Sequence, residues 1–170
     1  KDNKNPPERE KNVQNVGGIE TGTGEVEILS FALLNEEGKE ASYILSETNL
    51  TIICRYLVHK DLNDPHYGFI IRNSFGVSIS ETNTYCMGMK MPPVRNGETV
   101  EVSFSMNVPL VPGDYSISLG VAEKGYDRGS FEQYLLLAQD VEIIRVISND
   151  ASIIFGGVFN INPKVCIRGE

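Results

Sequence analysis

The chain has 170 residues, 41% of them hydrophobic, and a formal net charge of −8. That length suits one domain with a tail. The acidic balance excludes nucleic acid and anionic lipid as bulk partners, because both need a basic surface. No apolar run approaches the roughly 20 residues that a membrane-spanning helix needs, and no signal-peptide pattern opens the sequence. The first residue is Lys1 rather than Met, which reads as a piece of a longer protein.

Residues 1–20 are polar at first, with Pro6-Pro7 and Gly17-Gly18, and carry no hydrophobic period. They read as a flexible interdomain linker that cannot bury enough surface to fold. Residues 21–170 then read as one sandwich domain. Glu25–Leu34 predicts a first strand, closed by a turn at Asn35–Gly38. Asn49–Val58 predicts a second. Side chains alternate along a strand, so Leu50, Ile52, Cys54, Tyr56 and Val58 share one face and Thr51, Ile53, Arg55 and Leu57 the other. After a polar loop, Tyr67–Asn73 and Val77–Ser80 predict a hairpin about Ser74–Gly76, with the polar run Glu81–Thr84 closing the unit. Phe69 and Ile71 fall on one face, Ile70 and Arg72 on the other. Apolar groups on both faces place this strand in the middle of a sheet.

Residues 85–97 hold Met87, Met89 and Met91 at alternate positions. They read either as an adaptable contact surface or as packing under the sandwich edge. Thr99–Val108 alternates cleanly and predicts a strand with one wet face. Across a turn at Val111–Asp114, Tyr115–Ala122 reads as its partner. The outer faces of the two would join in a surface of small residues, with room for a ligand chain or a partner's strand. Glu123–Ser130 is a loop. Phe131–Ala138 fits a short helix or a strand, and Val141–Ser148 fits a strand. Ser152–Phe159 is an apolar late segment that would pair with its own sheet or with that of a second copy. No period of 20–50 residues repeats. Short strands, frequent turns and little helix predict an all-β antiparallel sandwich.

Chemistry is thin. Three cysteines stand far apart with no CxxC, and read as buried thiols in a reducing compartment. His59 and His66 lack ligands at metal spacing, so no metal is expected. There is no phosphate-cradling GxxxxGK[ST] and no GxSxG. Glu81 and Asp127 are carboxylates, but nothing in the sequence sets them at a glycosidase spacing. Recognition remains. Sugars offer flat apolar faces for aromatic rings and hydroxyls for Asn, Asp, Arg and Gln. The candidates with that chemistry are Arg55, Arg72, Asn83, Tyr85, Tyr126, Asp127 and Arg128, each of which also reads as an ordinary surface residue. Tyr67 reads as a core ring with its hydroxyl at the rim.

Three stretches carry a resemblance: Gly24–Gly38 (GEVEILSFALLNEEG), Tyr67–Thr84 (YGFIIRNSFGVSISETNT) and Val111–Ala122 (VPGDYSISLGVA). In order and spacing, over about residues 20–165, the chain resembles the C-terminal carbohydrate-binding domain of Wzt-type proteins. These are the nucleotide-binding subunits of ABC transporters that export O-antigen polysaccharide. The resemblance implies an Ig-like or jelly-roll sandwich, dimeric through exchange of a C-terminal strand. In this chain that strand would be about residues 152–159, with Ile153, Ile154, Phe155, Val158 and Phe159 as its apolar contacts. It implies non-catalytic binding of the O-antigen polysaccharide at its modified non-reducing end, which couples chain completion to export. It also implies a cytoplasmic position at the inner membrane face beside a membrane-spanning subunit. ATP and Mg would belong to an ATPase domain preceding residue 1, with no cofactor in this piece. No invariant binding motif transfers. Arg55, Arg72 and Arg128 become stronger candidates if the glycan cap is acidic. Two other readings stay open: a sandwich that only dimerises or binds protein, and a fragment of a carbohydrate-active enzyme.

Overall fold

The computed structural model describes residues 11–12 and 19–168, with backbone alone at 11, 12, 19 and 20. Among the described residues ten strands form in chain order: β1 (Lys11–Asn12), β2 (Ile19–Gly22), β3 (Val26–Leu34), β4 (Tyr43–Leu45), β5 (Asn49–Val58), β6 (Pro65–Asn73), β7 (Ser78–Asn83), β8 (Thr99–Asn107), β9 (Gly113–Tyr126) and β10 (Ser130–Ile147). The first sheet has the order β1-β3-β5-β8. The second has the order β2-β10-β9-β6-β7, with β4 added parallel to β10. Every other pairing is antiparallel. The chain is the antiparallel β-sandwich that its alternation predicts. β1 and β2 fall among the residues read as a linker and pair with β3 and β10. Residues 1–10 and 13–18 of that stretch lie outside the described residues.

The core lies between the sheets, where the alternating residues of β5 meet those of β6 and β9. Leu50, Ile52, Cys54, Tyr56 and Val58 are all buried, as their shared face requires. Tyr56 from the first sheet stacks on Tyr67 from the second at 5.3 Å between ring centroids. Phe104 of β8 meets Phe69 of β6 edge-on at 5.1 Å. Tyr67 is wholly buried and its Oη finds no hydrogen-bond partner among the described residues, so its hydroxyl is not at a rim.

Burial pushes the Cys54 thiol up to about 12 from the 9.0 of a free thiol, and Tyr56 and Tyr67 shift the same way for the same reason. A raised folded-state pKa gives stability that is whole below the unfolded value and lost as pH climbs toward the folded one. Stability should therefore fall by about 1.4 kcal/mol for each pH unit above about 9 on account of Cys54 alone. Urea midpoints measured across that range check this. Cys54→Ala should flatten the curve up to about pH 10, above which the tyrosines add their own slope.

Three expectations need correction. β8 and β9 are not partners: β8 pairs with β5 at the edge of the first sheet, and β9 lies between β10 and β6 in the second. The stretch around Val111–Pro112 carries the chain from one sheet to the other instead of closing a hairpin. The serines of β8 and β9 therefore face opposite sides of the molecule. Phe131–Ala138 is strand, and it continues through Val141 as one 18-residue element with register shifts at Tyr134/Leu136 and Ala138/Glu142. At the second shift Asp140 takes a left-handed φ of 52°, and its N–H donates to Ser118 Oγ at 3.0 Å.

Ser152–Phe159, expected to pair with its own sheet or with a second copy's, is irregular in the single chain. It makes one bridge, Leu110 to Phe159, and the Val111 N–H donates to Val158 O. Glu47 holds it in place, accepting from Ser152 Oγ at 2.7 Å and from Asn160 Nδ2. The apolar side chains that would have made it a strand find no facing strand among the described residues. Third, among the thiols only Cys54 is buried, and Cys86 and Cys166 are exposed. The methionines divide between the two readings. Met91 packs against the core, while Met87 and Met89 are exposed and line a cleft of about 370 Å³ beside β8.

Candidate functional site

The second sheet turns its far side to solvent, and the side chains there follow from strand alternation. Inward residues of β6 and β9 are Tyr67, Phe69, Ile71 and Ile117, Leu119, Val121, all buried. Outward positions carry Gly68, Ile70 and Arg72 on β6, and Ser116, Ser118 and Gly120 on β9. The register pairs Gly68 with Gly120 directly. On one flank Gly120 meets Leu137 of β10, and Leu137 meets Thr21 of β2. On the other, Gly68 meets Asn83 of β7. One row thus crosses β2, β10, β9, β6 and β7 with two glycines among its members, and their missing side chains leave a depression. The cavity there measures about 540 Å³, within the range of about 300–1,000 Å³ typical of small-ligand sites.

One end of the cavity is aromatic. Tyr134, 65% exposed, meets Phe131 edge-on at 5.8 Å. Behind Phe131 stand His66 and Tyr85, each with its ring centroid 5.8 Å from that of Phe131. His66 is buried, with Nδ1 3.0 Å from Thr84 Oγ1 and Nε2 3.2 Å from Asp64 Oδ1. Tyr85 lies on Gly125, where any Cβ would come within 2.4 Å of its ring. Gly125 therefore fixes Tyr85, which backs Phe131. The rim along β7 is polar. Asn83 Oδ1 accepts from the Cys86 N–H at 2.8 Å, so the amide presents its NH₂ as donor; Thr82 and Glu81 stand beside it.

The predicted residues scatter around this site. Asn83 lines it. Tyr85 supports its aromatic wall from behind. Arg72 lies on the same face but beyond the lining, its Nη1 donating to Ser118 Oγ at 2.9 Å. Tyr126, Asp127 and Arg128 form the exposed β9–β10 turn, which ends at Gly129 on the cavity rim. Arg55 is on β5, in the other sheet and opposite Glu101, so this cavity cannot include it. Glu81 and the exposed Asp127 do not pair across the site; Glu81 accepts from Ser78 Oγ instead. Missed from the sequence were Gly68, Phe131, Tyr134, Ile70 and Leu137. A lone glycine inside a strand is a signal of close approach or of an open surface, and Gly68 and Gly120 both carry it.

The site holds no catalytic constellation. His59 partners Glu27 on the first sheet, whereas His66 partners Asp64 and Thr84. Among the described residues no group of three or more His, Cys, Asp and Glu could hold a metal. None of them forms a helix long and apolar enough to cross a membrane. What the arrangement can do is bind: apolar floor, aromatic end wall, hydrogen-bonding rim.

The family described as the Wzt C-terminal domain matches residues 18–161. Among solved structures the chain is similar to the C-terminal domain of Wzt, with a TM-score of 0.79 at 19% identity over 89% of each chain. It is more distantly similar to a Niemann-Pick type C2 protein from Japanese carpenter ant, with a TM-score of 0.49 at 10% identity, covering 76% of this chain and 99% of that one. The second likeness is too loose to carry an argument, and the first shows the fold alone. No curated protein matches the sequence. With the family matched over most of its length, the chain belongs to the Wzt C-terminal domain family, a non-catalytic domain of the O-antigen ABC transporter.

Proposed function

We propose that this domain binds the O-antigen polysaccharide at its modified non-reducing end and so gives the exporter its substrate specificity. The observation that carries the reading is the cavity on the outer face of the second sheet. Its glycine floor lets a flat sugar ring approach the backbone, Tyr134 and Phe131 offer rings to an apolar sugar face, and Glu81 and Asn83 reach for hydroxyls. The reading places the domain on the cytoplasmic side of the inner membrane, joined through the full-length subunit to a membrane-spanning partner. ATP and Mg act in a separate ATPase domain.

The domain works as a homodimer through exchange of its C-terminal segment. Support comes from the exposure of Ile153, Ile154, Val158, Phe159, Ile161, Val165 and Ile167. Lone exposed apolar residues are common, but a run of them asks for a cover. β8, with no neighbour on its outer side among the described strands, is an edge that a second copy's segment fits.

Direct titration of the 170-residue chain with O-polysaccharide from its own source, cap present or removed, tests the glycan reading. Binding that requires the cap is expected. Sedimentation of the same chain should give a dimer, and removal of residues 152–170 a monomer. A dimer without affinity for either polysaccharide would instead support a dimerisation or protein-interaction module.

A further inference from the structure

The lining of the cavity also bears on which sugar enters it, an inference that rests on the glycan reading above. Among the described residues its lining contains no lysine or arginine, and its one carboxylate is Glu81. Two cations stand just beyond the lining and each is already engaged: Arg72, two residues past Ile70, donates to Ser118 Oγ, and Lys124, two residues past Ala122, pairs with Glu132. Arg128 is exposed in the β9–β10 turn and Arg55 is on the other sheet. A carboxylate or phosphate entering here would meet Glu81 in a protein already at −8, with no guanidinium lining the site to pair with.

The middle of the cavity is apolar as well as uncharged. Ile70, Leu137 and Ala122 surround the Gly68–Gly120 pair; the polar side chains of the lining are Thr21, Glu81 and Asn83 at the rims and the buried His66, whose ring nitrogens are taken by Thr84 and Asp64. A hydroxymethyl group held over the floor would lose its water without gaining a partner, whereas a methyl group there would gain by leaving water. We propose that the cavity takes an uncharged sugar bearing a methyl group, such as a 6-deoxyhexose or an N-acetylated hexose, and turns away uronic acids and phosphorylated sugars. The methyl group sits over the two glycines and the ring lies toward the β7 rim, where its hydroxyls reach Asn83 and Glu81, with Tyr134 at the opposite end of the cavity.

Competition against immobilised O-polysaccharide from the protein's own source tests this. The probes are methyl rhamnoside and methyl fucoside for the deoxy arm, N-acetylglucosamine for the acetyl arm, methyl mannoside and methyl galactoside as hydroxymethyl references, and glucuronic acid and mannose 6-phosphate as anions. At least one methyl-bearing arm should compete about tenfold better than the hydroxymethyl references or more. The anions should not compete. Affinity for the polysaccharide should change by less than about twofold between about 0.05 and 0.5 M salt, since no ion pair forms. Competition led by the anions, with a steep loss in salt that Arg72→Gln or Arg128→Gln removes, would overturn the inference and leave the glycan reading standing. Competition by none of the monosaccharides, or equal competition by all the neutral ones, would also overturn it. If the polysaccharide itself fails to bind, the glycan reading falls and takes this inference with it.

Discussion

Gly120→Val should cost on the order of 100-fold in affinity for the polysaccharide, close to 3 kcal/mol, while the sandwich stays folded. Gly120 has no left-handed φ, and a Cβ there meets nothing closer than Leu136 O at 3.7 Å, an ordinary contact. Valine suits an extended backbone and recovers the roughly 0.5–1 kcal/mol that glycine loses there. Its two methyl groups would stand in the depression that the Gly120–Gly68 pair leaves open. The thermal midpoint should therefore hold or rise as binding vanishes. Gly68 does not serve for the same experiment. A Cβ on it would come within 2.7 Å of Thr82 O and 2.8 Å of Asn83 Cβ, so a side chain there would push β7 away and confuse binding with folding. If Gly120→Val binds like the wild type, the cavity is not where the glycan sits.

Tyr56→Ala should be the most destabilising single change at a position remote from that cavity. The ring is 1% exposed and bridges the sheets by stacking on Tyr67. Removing it deletes buried apolar surface and opens a void that β-strands on both sides cannot collapse to fill. Losses of about 3–5 kcal/mol follow such truncations, against a total of about 5–15 kcal/mol for a domain. The urea midpoint should drop by a third or more with little change in slope. A drop of under about 1 kcal/mol would mean that the two sheets are held together elsewhere.

The strands were the legible part of this sequence. Alternation identified β5 and β8 to within a residue, because one face of each is core and a slip of one residue would bury the other face. Pairing was less legible. Residues 99–108 and 115–122 are close in sequence and alternate alike, yet Val111–Pro112 carries the chain between sheets. Period-2 patterning says which face is inward but not which sheet a strand joins. Phe131–Ala138 was ambiguous because Glu, Gln, Leu and Ala favour helix, and pairing along β9 overrides that preference. The same ambiguity hid the aromatic wall, since Phe131 and Tyr134 cannot be assigned a side until their segment is a strand. Arg72 shares the face of Ile70 by alternation, while Asn83, read only in a closing polar run, reaches that face because β7 extends through it. Arg55 did not, since its sheet is fixed by β3 and β8, strands that no local pattern links to the site.

The outer face of β6, β7, β9 and β10 as the polysaccharide site is the claim on which the rest depends. Backbone amide chemical shifts of the 170-residue chain, recorded during titration with the capped polysaccharide, test it most directly. Shifts should concentrate at Gly68, Ile70, Glu81–Asn83, Gly120 and Phe131–Leu137, with β3, β5 and β8 unmoved. Shifts gathered instead on β5 and β8, around Arg55 and the exposed methionines, would contradict it.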